Sequence, residues 1–302
     1  MDQISEEGIF VDIDANREYK AGMFASIFNH EKSALSAYNA ISGSNYPPDT
    51  PIKIVTLKNV LTKGRVNDLA FILGDRLIIL IEHQSTINAN MALRLLIYIA
   101  LVYNAIYKGE HAVYGTRMIN LREPEFYVLY NGTEEVSPVG VQRLSDLYSK
   151  EGLEPGHEFN LDLKVTTYNV NAPENAEMIK RSEELNGYVY CIKRINYYRS
   201  LKESDEDAIK HAIVDTKKKG FLVQFLEEHE SEVINMLLQE FAIDEYGAAM
   251  KEQGLDEGRR VEKKAFALKL FSRNRPIEEI VEDTELPLTE VLNIKKELED
   301  RK

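Results

Sequence analysis

The stretch at residues 66–86 is VNDLAFILGDRLIILIEHQST. Its two apolar runs, 66–73 and 77–83, are rich in Ile and Leu and predict two β-strands. The Gly-Asp-Arg segment at 74–76 predicts a hairpin loop of three residues, so we expect the two strands to pair antiparallel. This hairpin is the part of the chain on which the interpretation of the rest depends.

Two acids interrupt these apolar strands. Asp68 and Glu82 each lie seven residues from Asp75 at the expected tip, which would set their carboxylates side by side on one face. Two carboxylates repel, and placing them among apolar residues is costly unless a cation binds them. A hard divalent ion such as Mg²⁺ or Mn²⁺ would resolve the conflict, because it prefers oxygen ligands. The strand period then places Gln84 on the same face as Glu82 and leaves the backbone carbonyl of His83 available to the ion.

Helices and further strands are predicted around the hairpin. Apolar residues at helical spacing predict one or two helices over 16–41 and another over 90–107. Alternation predicts a first strand over 52–60, and further strands are expected at 126–130 and 161–170. The order of helix, three strands, helix and strands indicates an α/β core with a mixed sheet.

From Pro173 onward the pattern is almost entirely helical. Segments are expected near 173–187, 188–202, 206–219, 221–241 and 244–274, followed by two short helices at 276–282 and 287–299. We therefore divide the chain into an α/β core over 1–172, a helical extension over 173–250 that packs on it, and a C-terminal tail over 251–302. The tail is similar to a helix-turn-helix, although Glu285 stands where such turns often carry Gly.

Composition restricts the class of protein. Of 302 residues, 44% are hydrophobic and 29% are charged, which is typical of a folded globular chain. No apolar run approaches the roughly 18 residues that a membrane span needs. The N-terminus lacks a secretory signal pattern and the single cysteine, Cys191, fits a reducing compartment, so we expect a cytoplasmic protein with no membrane partner. The net charge of −13 counts against a surface that binds nucleic acid as a whole, so DNA binding requires local basic residues or a metal ion.

The densest basic cluster lies in the C-terminal part of the chain. It consists of Arg259, Arg260, Lys263, Lys264, Lys269, Arg273 and Arg275. These residues could meet phosphate, with a solvated helix face as the alternative. The apolar residues between them, Val261, Ala265, Leu268 and Leu270, could equally form an interface with a second copy of the chain.

The chain resembles the PD-(D/E)xK nuclease superfamily and, within it, the Rpn group of recombination-promoting nucleases, which are also labelled transposase-like. The resemblance covers roughly residues 14–245 and rests on NREYK at 16–20, ND at 67–68, EHQST at 82–86, MALRLLIYI at 91–99, YNGT at 130–133 and LDLKVT at 161–166. It implies a restriction-endonuclease-like core followed by an all-helical C-terminal region. It also implies a Mg²⁺- or Mn²⁺-dependent DNA endonuclease that hydrolyses phosphodiester bonds without a covalent intermediate, with a link to recombination or mobile elements.

The resemblance also implies roles for individual residues. Asp68 and Glu82 would be metal ligands, together with the His83 carbonyl, and the metal would activate the attacking water and stabilise charge on the phosphate. Gln84 stands where the superfamily usually has Lys. It can orient the water but carries no charge, so we expect weaker or more metal-dependent activity. Glu18 would be an additional metal ligand.

Arg94 and Tyr98 are four residues apart and share a face of the expected helix beside the sheet. Arg94 could hold Glu82, Gln84 or a DNA phosphate there, and we include both residues in the catalytic set. Structural alternatives stay open. Asp68 could end a strand, Glu82 could form an ion pair with Arg94, and Tyr98 could be a packing aromatic. The whole chain could instead be a DNA-binding or oligomeric regulatory module on an inactive nuclease scaffold.

Overall fold

The structure, a computed structural model, describes residues 22–55, 68–107, 114–116, 118–154 and 156–299, apart from the side chains of 68, 77–83, 243–256 and 299. Its strands are β1 (Ile52–Ile54), β2 (Asp68–Leu73), β3 (Arg76–Gln84), β4 (Glu123–Tyr130), β5 (Val139–Arg143) and β6 (Lys164–Asn169). They form one six-stranded sheet in the order β1-β2-β3-β4-β6-β5. Strands β1 to β3 pair antiparallel, β3, β4 and β6 pair parallel, and β5 pairs antiparallel with β6. The predicted α/β class with a mixed sheet is thereby confirmed.

Strand β3 lies in the interior of the sheet, between β2 and β4. Its segment 77–81 is LIILI, and an uninterrupted apolar run is typical of a strand that is covered on both faces. Because β3 and β4 are parallel, the chain needs a crossover connection between them. Helix α3 (Met91–Tyr107) supplies it, where a helix was predicted over 90–107.

Helix α3 covers one face of the sheet. Leu95 and Tyr98 are fully buried and belong to one hydrophobic cluster with Ala70 of β2, Phe126 of β4 and Val165 of β6. Full burial of one Leu-sized side chain contributes roughly 1.5–3 kcal/mol. This apolar contact fixes α3, and with it the segment that follows β3, against three strands.

Helices α1 (Met23–Phe28) and α2 (Glu31–Ser42) lie on the other face. The Tyr38 ring of α2 packs edge-on against Phe71 of β2, with centroids 6.1 Å apart, and against Tyr127 of β4 at 6.3 Å. The Tyr38 hydroxyl donates to Glu125 at 3.1 Å. The helices predicted over 16–41 are thus present from position 23 onward.

After the sheet come α4 (Ala176–Lys180), α5 (Glu183–Ser200), α6 (Asp205–Lys218) and α7 (Val223–Ser272), and two short C-terminal helices follow these. Helix α7 is kinked at His229, where the backbone leaves helical geometry with φ −125° and ψ 16°. Two predicted breaks, at 187/188 and between 241 and 244, are wrong, because α5 and α7 run through them. A Cβ on Gly187 would lie 2.8 Å from Leu222 Cγ, so this glycine serves close packing and does not end a helix. Among the described helices, none has the length and apolarity of a membrane span.

The single cysteine lies in the core of the helical region. Cys191 of α5 is fully buried, and burial raises the pKa of its thiol to about 11. The thiolate is the reactive form of cysteine. At neutral pH Cys191 is therefore a protonated, inert core residue and not a nucleophile.

The chain divides into two compact units, Met1–Glu240 and Phe241–Lys302. The helices before position 240 thus belong to the same unit as the sheet. In the second unit, α8 (Ile277–Thr284) and α9 (Leu288–Glu299) pack with the last turns of α7. Their buried cluster consists of Ala267, Leu270, Ile280, Leu286, Val291 and Ile294. The two short helices predicted at the C-terminus are confirmed within two residues at each end.

Candidate active site

The hairpin between β2 and β3 turns in two residues and not in three. Arg76 pairs with Leu73, which leaves Gly74 and Asp75 in the turn. Gly74 has φ +56°, a left-handed conformation that glycine adopts without steric cost. The predicted three-residue loop is therefore wrong, because Arg76 is already the first residue of β3.

The shorter turn moves the hairpin register by one residue. Asp68 stands opposite Ile81, where the three-residue loop would have placed Glu82. A slip of one residue reverses which positions share a face of a sheet. The side chains of Asp68 and Glu82 lie outside the described residues, so the expected approach of their carboxylates stays a prediction.

A β-bulge at Glu82 changes the alternation a second time. In the pairing of β3 with β4, Ile81 aligns with Val128 and His83 aligns with Leu129, so Glu82 is the extra residue on β3. Such an insertion shifts the alternation of the strand by one position and increases its local twist. The two-residue turn changes the face of the sheet on which each β3 residue lies relative to β2. For the residues after Glu82, the bulge changes the face back again.

The position of Gln84 shows the effect of the bulge. Gln84 aligns with Tyr130 of β4, and its half-buried side chain lies on the α3 side of the sheet, with Nε2 3.9 Å from Met91 Sδ. In an uninterrupted strand, positions 81 and 84 would lie on opposite faces. Because of the bulge, their partners on β4 are Val128 and Tyr130, two residues apart and on the same face.

Strands β3 and β4 end so close together that only glycine fits at position 132. Asn131 N donates to the Gln84 carbonyl at 3.1 Å, and a Cβ on Gly132 would overlap the Ser85 carbonyl oxygen and the Tyr130 side chain. The sequence gives no sign of this contact, because Asn-Gly is also an ordinary turn signal. Gly132 is thus a positioning residue for the end of β3 that sequence reasoning missed.

Arg94 and Tyr98 lie on α3 as expected, but in different environments. Arg94 is half-buried, and its guanidinium makes no hydrogen bond or ion pair with the other side chains that the structure describes. Of the three partners considered for Arg94, Gln84 makes no hydrogen bond with it, since the Gln84 amide nitrogen is directed to Met91. Glu82 and a DNA phosphate stay predictions. Tyr98 is fully buried in the cluster beneath the sheet, which is typical of a packing aromatic.

The metal site remains a prediction. Among the described side chains, no group of three or more His, Cys, Asp or Glu residues could hold a metal ion. The side chains of the predicted carboxylate ligands Asp68 and Glu82 lie outside the described residues, and Glu18 precedes the first described residue. The predicted donor set, two carboxylates and the His83 carbonyl, consists of hard oxygen atoms and fits Mg²⁺ or Mn²⁺.

The basic cluster of the Phe241–Lys302 unit is partly neutralised by acids of the same unit. Glu290 of α9 accepts a hydrogen bond from Arg260 at 2.9 Å and lies 3.2 Å from Lys264 Nζ. Lys263 donates to Glu285 at 2.7 Å. These hydrogen bonds, from Arg260 and from Lys263 respectively, lower the pKa of the Glu290 and Glu285 carboxyls. These three of the seven cations thus lie in exposed ion pairs within the unit, which lowers the net positive charge that the cluster presents to phosphate.

The turn between α8 and α9 has the backbone conformation for which helix-turn-helix proteins often use Gly. Glu285 follows α8 with φ +53° and ψ 23°, in the left-handed region. Of the four apolar residues for which an interface with a second copy was an alternative, Leu270 lies in the core of the unit. Val261 and Leu268 are 61% and 40% exposed, and Ala265 is also exposed.

No family model matches the chain, and comparisons with curated proteins and with solved structures found no match. The comparisons therefore indicate neither a family nor an activity. The case for a function rests on the residues and on the geometry of the hairpin.

We expect Gly132→Ala to destabilise the fold, because the added methyl overlaps a backbone carbonyl that cannot move without disturbing β3. Overpacking of this kind costs about 1–3 kcal/mol. Equilibrium urea unfolding followed by circular dichroism measures the change. Gly140→Ala is the matched control, because its Cβ would meet only Thr167 Cβ, at 3.8 Å. Equal free energies of unfolding for the two variants would contradict the close approach of β3 and β4.

Proposed function

We propose that the chain is a metal-dependent DNA endonuclease that hydrolyses phosphodiester bonds with Asp68, Glu82 and Gln84. The observation that carries the proposal is the β-bulge at Glu82, in an interior strand, directly after the apolar run at 77–81. Bulges are frequent next to active sites, where they redirect a side chain. An acid at the end of such a run is costly unless a cation binds it. The sequence pattern and the backbone geometry thus both support Glu82 as a candidate metal ligand.

The finer fold assignment belongs to the same proposal. A mixed sheet with the candidate residues on its β2–β3 hairpin and a helical crossover to β4 is compatible with a PD-(D/E)xK, restriction-endonuclease-like core. The resemblance of the EHQST string and the other motifs to recombination-promoting nucleases supports it further. A link to recombination or mobile elements rests on that resemblance alone.

The chain's own residues would share the work at the site. Asp68, Glu82 and the His83 carbonyl would hold the divalent ion, which supplies Lewis-acid stabilisation of the phosphate and a bound water of lowered pKa. The amide of Gln84 would orient the attacking water by hydrogen bonding. Because Gln84 carries no charge, the guanidinium of Arg94 is the candidate for contact with a phosphate oxygen.

A plasmid-nicking assay tests the proposal. We expect the wild-type chain to nick supercoiled plasmid with Mg²⁺ or Mn²⁺ and to stop when excess chelator is added. Asp68→Asn and Glu82→Gln each remove one ligand charge and should lower the rate roughly 100-fold or more, since a bound metal contributes several kcal/mol to transition-state stabilisation.

Asp75→Asn is the matched control for these variants. Asp75 is exposed at the tip of the same hairpin, seven residues from each candidate ligand, so its loss should leave the rate unchanged. Equal nicking by the wild type and by both ligand variants would show that the activity comes from elsewhere and would end the proposal.

A second candidate function is DNA binding without cleavage, as part of a regulatory module. The observation that favours it is the left-handed Glu285 between α8 and α9, which gives the C-terminal unit a turn like that of a helix-turn-helix. In this function the acids of α8 and α9 would limit how many cations contact phosphate. The unit would bind DNA without a need for metal.

Glu290→Gln tests this second function. The change removes the charge that holds Arg260 and Lys264, so DNA should bind more tightly and the salt dependence should steepen by at most roughly 2 in slope. Fluorescence anisotropy of a labelled duplex, with chelator and at several salt concentrations, measures both effects. Glu297→Gln is the control, because Glu297 is an exposed acid of the same helix. An unchanged affinity in Glu290→Gln would contradict a phosphate role for Arg260 and Lys264.

A further inference from the structure

A cavity of about 250 Å³ opens beside Gln84, where β3 and β4 end. Met91 of α3, Val128 of β4 and Val141 of β5 give it apolar walls, and Gly140 of β5 forms part of its surface. None of the described residues that line the cavity is charged. The described part of its lining therefore suits an uncharged occupant and offers a phosphate group no cation.

Three neutral polar groups in the lining are available to a ligand. Among the described residues, none hydrogen-bonds the side-chain oxygen Oε1 of Gln84, the side-chain nitrogen Nδ2 of Asn88 or the Thr167 hydroxyl. The Asn88 side chain engages only its Oδ1, which accepts from Asn90 N at 2.8 Å. These groups offer at least one donor and one acceptor. Apolar walls combined with a few neutral polar groups are typical of a pocket that binds a small organic molecule.

The wall that faces these groups is fixed. Gln142 of β5 accepts from Ala92 N at 3.0 Å, and its Nε2 donates to the Ala89 carbonyl, so that β5 is tied to the first turn of α3. Tyr130 is 1% exposed, and its hydroxyl accepts from Glu134 N at 3.0 Å. Burial raises the pKa of Tyr130, so this ring remains neutral at the end of β4.

We propose that this cavity binds one unstacked nucleobase of the DNA strand that is cut. At about 30 Å³ per water molecule, the cavity has room for roughly eight waters, which is the size of one heterocyclic base and not of a whole nucleotide. Enzymes that bind an extruded base hold it between apolar or aromatic side chains and hydrogen-bond its edge. The inference rests on the proposed function, and it adds that the substrate is single-stranded or locally unpaired DNA.

Gln84 connects this pocket with the candidate active site, because it lines the cavity and lies two residues after Glu82. A base in the pocket would place the adjoining phosphodiester next to the end of β3. Duplex DNA would have to unstack a base to reach the same position, and that costs free energy. Single strands are therefore the preferred substrate.

Gly140→Val fills the pocket without a change at the predicted metal ligands. Gly140 does not have a positive φ, and its Cβ would lie 3.8 Å from Thr167 Cβ, so a β-branched side chain is compatible with the strand. Two probes are compared by competition anisotropy in the presence of chelator. Both are single strands of abasic nucleotides, and one carries a single central 2-aminopurine.

The wild-type chain is expected to bind the 2-aminopurine strand roughly tenfold more tightly than the abasic strand, as for one stacked base. Gly140→Val should lower this difference to less than about twofold and leave the affinity for the abasic strand unchanged. Thr167→Val removes one hydroxyl at nearly constant shape and should lower the difference severalfold. Thr166→Val, the same change at the neighbouring residue of β6, is the matched control and should retain it.

The outcomes separate this inference from the proposed function, because binding in chelator requires neither metal nor cleavage. Equal affinity of the wild type for the two probes overturns the base pocket, whatever the nicking assay shows. A preference that Gly140→Val and Thr167→Val both retain overturns it as well, since the base would then bind elsewhere. A base preference that depends on Gly140 and Thr167 supports the pocket even if nicking fails, and in that case only the endonuclease proposal falls.

Discussion

The geometry of the candidate site depends on the pairing of β3 with two strands that run in different directions. It pairs antiparallel with β2 on one side and parallel with β4 on the other, and these ladders have different hydrogen-bond spacing. The antiparallel pairs end at Asp68 and Ile81, and the bulge at Glu82 follows at once on the other side. Beyond the bulge, Gly132 lets the ends of β3 and β4 meet. The two strand pairings, the bulge and the close approach at Gly132 together direct Gln84 toward α3 and leave the cavity beside it.

The same arrangement explains how an acidic chain could act on DNA. A net charge of −13 opposes contact with phosphates, so a nuclease of this composition needs positive charge at the site itself, which a bound divalent ion would supply. In the C-terminal unit, Arg260, Lys263 and Lys264 form ion pairs with Glu285 and Glu290, which lowers the positive charge that this unit presents. The two proposed functions thus differ in their need for metal. The endonuclease requires a divalent ion, and DNA binding without cleavage does not. An uncharged pocket beside Gln84 is compatible with the endonuclease function, since a nucleobase carries no charge that the protein would have to neutralise.

Local sequence patterns predicted the hairpin, the mixed sheet, helix α3 and the two last helices, because each has a strong apolar period and clear ends. They failed where a contact between residues far apart in the sequence determines the local structure. Arg76 looks like a loop residue, yet it begins β3 and forms an ion pair with Glu125 of β4, 49 residues away. Strand β5 (Val139–Arg143) was not predicted, because it is a short edge strand with alternate residues exposed and a glycine inside. The bulge at Glu82 leaves no local signal, since it exists only in the pairing with β4. For the same reason Asp68, Glu82 and Gln84 could be proposed as site residues from the sequence, but the register in which they lie could not be predicted.

The central claim is that the end of the β2–β3 hairpin needs a divalent ion, and calorimetric titration of the full chain with Mn²⁺ tests it most directly. The account predicts one ion bound per wild-type chain, no detectable binding to Asp68→Ala, and wild-type binding to Asp75→Ala, whose carboxylate lies at the far end of the hairpin. The absence of Mn²⁺ binding to the wild type, or equal binding to all three proteins, would contradict it.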